Sequence, residues 1–90
     1  SYIREYDMVG IVTGYDPQTG MAKVVQKNRF FKGSQVEFLR PVGRFFTQTI
    51  RCIQDAAGNE LEVANRPQSV VYVRTDQPVE PDTFLRQERK

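Results

Sequence analysis

Hydrophobic residues alternate with polar or small residues close to the N-terminus. In the segment "DMVGIVTGYD" this alternation has a two-residue period, which is typical of a β-strand because successive side chains point to opposite faces. The period assigns four residues to one face: Val9, Ile11, Thr13 and Tyr15. Val12 falls on the other face with Met8, Gly10 and Gly14, and two glycines on one face favour a sharp bend, a bulge or a close approach of another backbone.

A turn and a second alternating segment follow directly. Asp16, Pro17 and Gly20 are residue types that favour turns for separate conformational reasons. The segment 21–27 then resumes the two-residue period, with Val24 on one of its faces. The two segments together predict a β-hairpin.

Further strands are predicted in segments that alternate in the same way or are rich in β-branched and aromatic residues: 35–39, 44–53, 60–64 and 69–75. The alternation in 44–53 places four residues on one face: Phe46, Gln48, Ile50 and Cys52. Strands spaced by turns at roughly 8–12 residues predict an all-β fold, a small closed or nearly closed β-barrel. We expect a common core that includes Val24, Val36, Phe38, Ile50 and Val73.

Two other segments are predicted to be irregular. Asp55 and Asn59 flank Gly58 but lack the spacing of a calcium-binding loop, so we interpret 54–60 as a hairpin turn. In the C-terminal tail, Pro78 and Pro81 oppose regular pairing. We therefore predict an irregular tail in which residues 83–90 form at most a short helical turn.

The composition excludes the common catalytic and metal-binding constellations. The chain has no histidine and one cysteine, Cys52, so it cannot build a Ser-His-Asp triad, a Cys-His dyad or a His/Cys zinc site. It also lacks a glycine-rich phosphate loop. We therefore expect no catalytic residue, no metal ligand and no cofactor in this chain, and we interpret Cys52 as a small core residue.

Cysteine usage and hydropathy also indicate where the protein resides. A single cysteine permits no internal disulfide and favours a reducing compartment. No apolar run approaches the roughly 20 residues that cross a bilayer. We predict a cytoplasmic protein without a membrane partner. Since the chain begins at Ser1 and not at methionine, we expect residues 1–90 to be a single domain cut from a longer protein and monomeric by itself.

The stretch "KNRFFKGSQVEFLRP" mixes basic and aromatic residues and has two possible interpretations. As a nucleic-acid surface it would bind phosphates and stack bases, whereas as a bend around Gly33 it would turn its rings into the core. Neighbouring side chains in an extended chain point in opposite directions, so only one of Phe30 and Phe31 can be buried. The net charge of +2 does not by itself decide for nucleic acid. The candidate contacts are Lys27, Arg29, Phe30, Phe31, Lys32, Arg40 and Arg44.

Several segments in order, among them "REYDMVGIV", "YDPQTGMAKVVQKNRFFKGSQVEFLRP", "FTQTI" and "DAAGNELEVANRPQSVVYVRTDQPVEPDTFLR", resemble the C-terminal domain of the U32 peptidases. This collagenase-like family has no assigned catalytic type. The resemblance covers about residues 2–86. It implies a compact barrel behind a larger catalytic domain, similar to the second-domain barrels of translation elongation factors. The Cys- and His-bearing motifs of the family belong to the preceding domain and have no counterpart here.

The resemblance leaves two functions open. The first is a noncatalytic accessory domain of a peptidase-like enzyme, which positions a macromolecular substrate or supports the catalytic domain. The alternative is an RNA-binding module, because some similar bacterial proteins are linked to hydroxylation of a wobble uridine in transfer RNA. Other relatives are linked to iron–sulfur-dependent hydroxylation in quinone synthesis. The implied partners are the catalytic domain and either transfer RNA or a protein substrate.

The missing nucleophile leads to a direct prediction. The 90-residue chain should not hydrolyse gelatin, casein or a peptide library, with or without divalent metals, because it lacks both an activated nucleophile and a conventional metal site. Fluorogenic peptide assays and gels measure this. Turnover that follows the chain through repurification would contradict it.

Overall fold

The computed structural model describes residues 3–89, which contain β-strands and no helix. Accordingly, no described segment forms a helix that would reach across a membrane. The strands are β1 (Tyr6–Asp16), β2 (Met21–Gln26), β3 (Phe30–Phe31), β4 (Gln35–Leu39), β5 (Phe46–Thr49), β6 (Ile53–Gln54), β7 (Val63–Ala64), β8 (Val70–Arg74) and β9 (Phe84–Glu88).

Seven of these strands form one curled antiparallel sheet in the order β5-β4-β9-β1-β2-β8-β6, and β3 pairs separately with β7. The two edge strands, β5 and β6, are consecutive in the chain. Between them, the Ile50 amide donates to the Ser34 carbonyl beside β4, and the Arg74 amide of β8 donates to the Cys52 carbonyl. The chain therefore changes partner from β4 to β8 within three residues, and the predicted nearly closed barrel is confirmed.

This change of partner corrects the prediction of one continuous strand over 44–53. Ile50 and Ile53 are both fully buried, although strict alternation would put them on opposite faces. The bend between β5 and β6 turns the chain, so the inward direction changes along it. Cys52, predicted as a core residue, is only half-buried and carries a free thiol.

Strand β1 also departs from strict alternation, since its pairing register shifts between Met8 and Gly10 and again between Val12 and Gly14. Val9 and Val12 are consequently both fully buried, and the assignment of these two residues to opposite faces is wrong. The bulges inferred from the glycines are confirmed. A Cβ at Gly10 would lie 2.5 Å from Cγ1 of Val24, so this position requires glycine for close packing of β1 on β2.

The expected core is confirmed, since all five predicted residues are buried. Phe38 is fully buried, and its ring stacks on that of Phe46 with 4.8 Å between centroids. The cluster continues into residues that the strand pattern alone did not single out: Phe30, Ile53, Ala64, Val79 and Leu85.

The prediction of an irregular C-terminal tail is confirmed for residues 76–83, which form no strand, and is wrong for the residues that follow. Residues 84–88 form β9, which pairs with β1 on one side and β4 on the other. Leu85 is fully buried between them. Both prolines precede the strand, and the backbone of Asp82 and Thr83 hydrogen-bonds Val12 of β1. The prolines therefore shape the approach to β9 without interrupting its ladders.

The barrel geometry predicts the consequence of truncating the central ring. Phe38→Ala should lower the free energy of unfolding by about 3–5 kcal/mol, because it removes a fully buried phenyl ring and leaves a cavity. The matched control is Phe45→Ala, where the ring is exposed and the change should stay within about 0.5 kcal/mol. Urea unfolding of both variants measures this, and equal losses would contradict it.

Candidate nucleic-acid interface

The predicted contacts divide between the two ends of the barrel. Lys27, Arg29 and Lys32 precede β4, whereas Arg40 and Arg44 follow it. The five residues of β4 span roughly 17 Å at about 3.3 Å per residue. The basic side chains therefore do not form one continuous rim, and each end has to be considered separately.

The adjacent phenylalanines separate as expected. Phe30 is fully buried opposite Ala64, whereas Phe31, paired with Val63, is 48% exposed. The guanidinium carbon of Arg29 lies 5.8 Å from the centroid of the Phe31 ring, a cation–π distance. The Arg29 carbonyl accepts a hydrogen bond from the Gln87 side chain at 3.3 Å, so β9 helps to position this pair.

Two further cations, Lys27 and Arg66, lie on segments that the buried Gln26 connects, since Lys27 follows Gln26 in the chain and the Arg66 amide donates to its side chain. The Lys27 amine donates to Oε1 of Gln68 at 3.1 Å, a neutral partner that leaves its charge unbalanced. Arg66 is exposed, and its backbone amide donates to Oε1 of the buried Gln26 at 2.9 Å. The local sequence around Arg66 does not single it out, because Gln26, which accepts its amide hydrogen bond, lies 40 residues earlier in the chain.

Lys32 differs because its charge is balanced. Its amine lies 3.1 Å from a carboxylate oxygen of Glu60 and 3.7 Å from one of Glu62. The hydrogen bond to Glu60 and the two negative charges raise the pKa of Lys32 above its ordinary value. With two carboxylates beside it, Lys32 is poorly suited to bind a phosphate.

The other end of the barrel carries a paired arginine. The Arg40 guanidinium donates from Nε and Nη2 to the two carboxylate oxygens of Glu80, at 3.0 and 3.2 Å, and the Glu80 hydrogen bond raises the pKa of Arg40. Arg44 is exposed and forms no hydrogen bond or ion pair with residues 3–89. This end thus offers one unbalanced cation among the predicted contacts.

We define the Arg29 surface as Lys27, Arg29, Phe31 and Arg66. It combines a half-exposed aromatic ring with three cations that form no ion pair with a carboxylate of residues 3–89. This is the composition of surfaces that bind single-stranded nucleic acid, in which cations contact phosphates and rings stack on bases. The Arg29 surface includes three of the seven predicted contacts, Lys27, Arg29 and Phe31. It also includes Arg66, which was not predicted.

Two other polar clusters lie outside the Arg29 surface. The Asp55 carboxylate accepts hydrogen bonds from the amides of Ala57 and Asn59 and from the Asn59 side chain, which confirms the hairpin turn. A groove of about 830 Å³ over β4, β9 and β1 contains Glu37 paired with Arg86 at 2.8 Å. Among the described residues, no cluster of three or more His, Cys, Asp or Glu could hold a metal ion.

The fold is that of a small β-barrel, and sequence comparison gives its family. Residues 4–86 match the peptidase family U32 C-terminal domain, and the chain belongs to that family. It is 42% identical over 81 residues to a protein of Bacillus subtilis (strain 168) named tRNA hydroxylation protein P1. The match covers 90% of this chain but only 19% of that protein.

Solved structures are also similar. The C-terminal domain of a U32-family protein from Geobacillus thermoleovorans, crystallised as a selenomethionine variant, superposes with a TM-score of 0.86 at 42% identity. The alignment covers 90% of this chain and 99% of that one. A second crystal structure of that domain gives a TM-score of 0.84 at 39% identity, with 93% of each chain covered.

The Asp55 turn generates a pH prediction. Hydrogen bonds, first of all from the Asn59 side chain, hold the pKa of Asp55 below its ordinary value of 3.8. A carboxylate whose pKa is lower in the folded than in the unfolded state stabilises the fold above the ordinary value, and this contribution is lost as the pH falls through the folded pKa. An NMR titration of the Asp55 carboxyl carbon should therefore give a midpoint below 3.8.

A control variant separates this turn from general acid effects. Asp55→Asn should flatten the acidic limb of stability against pH. Asp82→Asn is the matched control, because the exposed Asp82 carboxylate makes no hydrogen bond within residues 3–89. An ordinary titration midpoint for Asp55, or the same flattening in both variants, would count against the assignment.

Proposed function

We propose that this domain is a noncatalytic RNA-positioning module of a larger U32-family protein that modifies transfer RNA. The observation that carries the proposal is the Arg29 surface, where the Arg29 guanidinium lies 5.8 Å from the centroid of the exposed Phe31 ring. The name of the Bacillus subtilis relative points to the same substrate class. Because the chain spans about a fifth of that protein, the chemical step is assigned to the remainder of the molecule.

The arrangement suits an unpaired loop of RNA. Bases that are not stacked in a helix can lie on the Phe31 ring, while the flanking phosphates contact Lys27, Arg29 and Arg66. Glu60 and Glu62 border this surface beside Lys32 and would repel a backbone that strayed toward them. The surface therefore favours one path for the strand.

A protein substrate is the second candidate, in keeping with the peptidase name of the family. It is supported less well, because the unbalanced groups of the Arg29 surface are all cationic and suit a polyanion. In either case the domain acts as an accessory that folds by itself over residues 1–90 as a monomer. The RNA function places the protein in the cytoplasm, and it requires no cofactor within this chain.

Salt dependence tests the RNA function. Three phosphate contacts to single-stranded RNA should give a log–log slope of binding against salt of about −2, from roughly −0.7 per neutralised phosphate. Lys27→Ala/Arg29→Ala should reduce the slope to about −0.7, since Arg66 alone remains. Fluorescence anisotropy with a transfer-RNA anticodon stem-loop measures both. The matched control is Lys23→Ala, an exposed cation on β2, which should change little.

Two more variants distinguish stacking and local charge from a general electrostatic effect. Phe31→Ala should weaken binding by about 1–3 kcal/mol without changing the slope, because a lost stack releases no counterions. Glu60→Gln/Glu62→Gln should strengthen binding and steepen the slope, because it frees Lys32. Absence of salt-dependent binding at low ionic strength, or an equal loss in Lys23→Ala, would refute the proposed interface.

A further inference from the structure

Cross-strand pairing aligns five hydrophobic side chains into one row across the outside of the barrel. Leu39 pairs with Phe84, Phe84 with Ile11, Ile11 with Val25, and Val25 with Val70. Each residue comes from a different strand, in the order β4, β9, β1, β2 and β8. We define these five residues as the outer stripe. Four spacings of about 4.8 Å make it about 19 Å long.

The stripe faces away from the core. The chain neighbours of its members point inward and are buried, as Phe38, Leu85 and Val24 show. The members themselves are half-buried or exposed, and Phe84 is 41% exposed. In an antiparallel sheet with one solvated face, hydrophobic side chains normally face the core and alternate along each strand with polar side chains that face the solvent. Along this row, both faces of five adjacent strands are hydrophobic.

The rows on either side of the stripe are mainly polar, although one of them includes Met8, a 42% exposed hydrophobic side chain that pairs with Arg86. On one side Glu37 pairs with Arg86, and these two side chains form an ion pair. On the other side Lys23 pairs with Tyr72, which in turn pairs with Gln54. An apolar band with polar borders is the arrangement expected of a contact surface with a dry centre and a hydrated rim.

We propose that the outer stripe is the surface on which the rest of the same U32-family polypeptide docks. The relative from Bacillus subtilis is about five times longer than the matched segment, so a domain of this type works beside a large attached body. Tethering raises the effective concentration of two surfaces to the millimolar range. A short apolar stripe is sufficient under those conditions.

Other occupants fit the stripe less well. A stable complex of two free copies buries about 800 Å² on each partner, much more than a band one side chain wide provides. RNA is disfavoured as the occupant because none of the five side chains carries a charge or a hydrogen-bond donor that could bind a phosphate. The proposal shares with the proposed function the premise of a larger parent protein, but it does not depend on RNA binding.

Hydroxyl-radical footprinting of the unmodified protein tests the proposal. Labelling of Phe84 is compared between the 90-residue chain and the full-length gene product, both at low micromolar concentration without RNA. Phe84 is 41% exposed, and the buried Val79 is 5% exposed. If docking covers Phe84 to the same extent as Val79, labelling of Phe84 should fall about eight-fold. Phe45, exposed and off the stripe, is the internal control and should stay labelled.

Other footprinting results overturn the proposal. Unchanged labelling of Phe84 in the full-length protein would do so, as would an equal fall at Phe45. Protection of Phe84 in the 90-residue chain that grows with concentration would identify a second copy as the occupant. Protection only after transfer RNA is added would identify RNA.

A variant pair tests causation. In the full-length protein, Ile11→Thr/Phe84→Thr should return labelling of Leu39 to its level in the 90-residue chain, whereas Val42→Thr/Phe45→Thr should not. Threonine is used because it is compatible with β-strands. If the variant does not fold, the footprint of the unmodified protein still tests the proposal. Protection of Leu39 that persists in the stripe variant would refute docking.

The two proposals fail separately. The stripe variant of the 90-residue chain should keep its salt-dependent RNA binding, and Lys27→Ala/Arg29→Ala should keep Phe84 protected in the full-length protein.

Discussion

The pairing of β9 with both β1 and β4 is the constraint on which the rest of the structure depends. These two ladders join the N-terminal hairpin to the second half of the barrel. They bury Leu85 in the core and place Phe84 outside, in line with Ile11 and Leu39. The same strand carries Gln87, whose side chain supports the Arg29 carbonyl. The core, the outer stripe and the Arg29 surface therefore share one structural element.

Two buried glutamine side chains connect segments that no ladder joins. Gln26 donates to the carbonyl of Ala64 at 2.8 Å and accepts from the Arg66 amide. Gln48 donates to the Arg74 carbonyl and accepts from the Asp76 amide at 2.7 Å. Backbone groups in a barrel interior must find partners, and these amides supply them. Gln26 thereby fixes the backbone of Arg66 against the end of β2, so a core hydrogen bond helps to position an exposed cation.

The function of each basic residue depends on its partner more than on its type. Lys32 and Arg40 belong to the same basic stretch as Arg29, yet both are balanced by glutamates. Those glutamates lie 28 and 40 residues further along the chain. Local composition cannot reveal such pairs, because a salt bridge between distant segments exists only once the strands that carry them are packed.

The sequence by itself determined the elements whose signals are local. The first hairpin, the separation of Phe30 from Phe31 and core residues such as Phe38 follow from a two-residue period and turn chemistry. Tertiary structure decided the rest. Strand β9 contributes one core side chain, Leu85, and no other residue of the strand is buried, so its sequence pattern is too weak to identify a strand without its pairing to β1 and β4. The break of 44–53 at the bend and the neighbours of Arg29 are likewise set by strand pairing, a long-range choice that local periodicity does not encode.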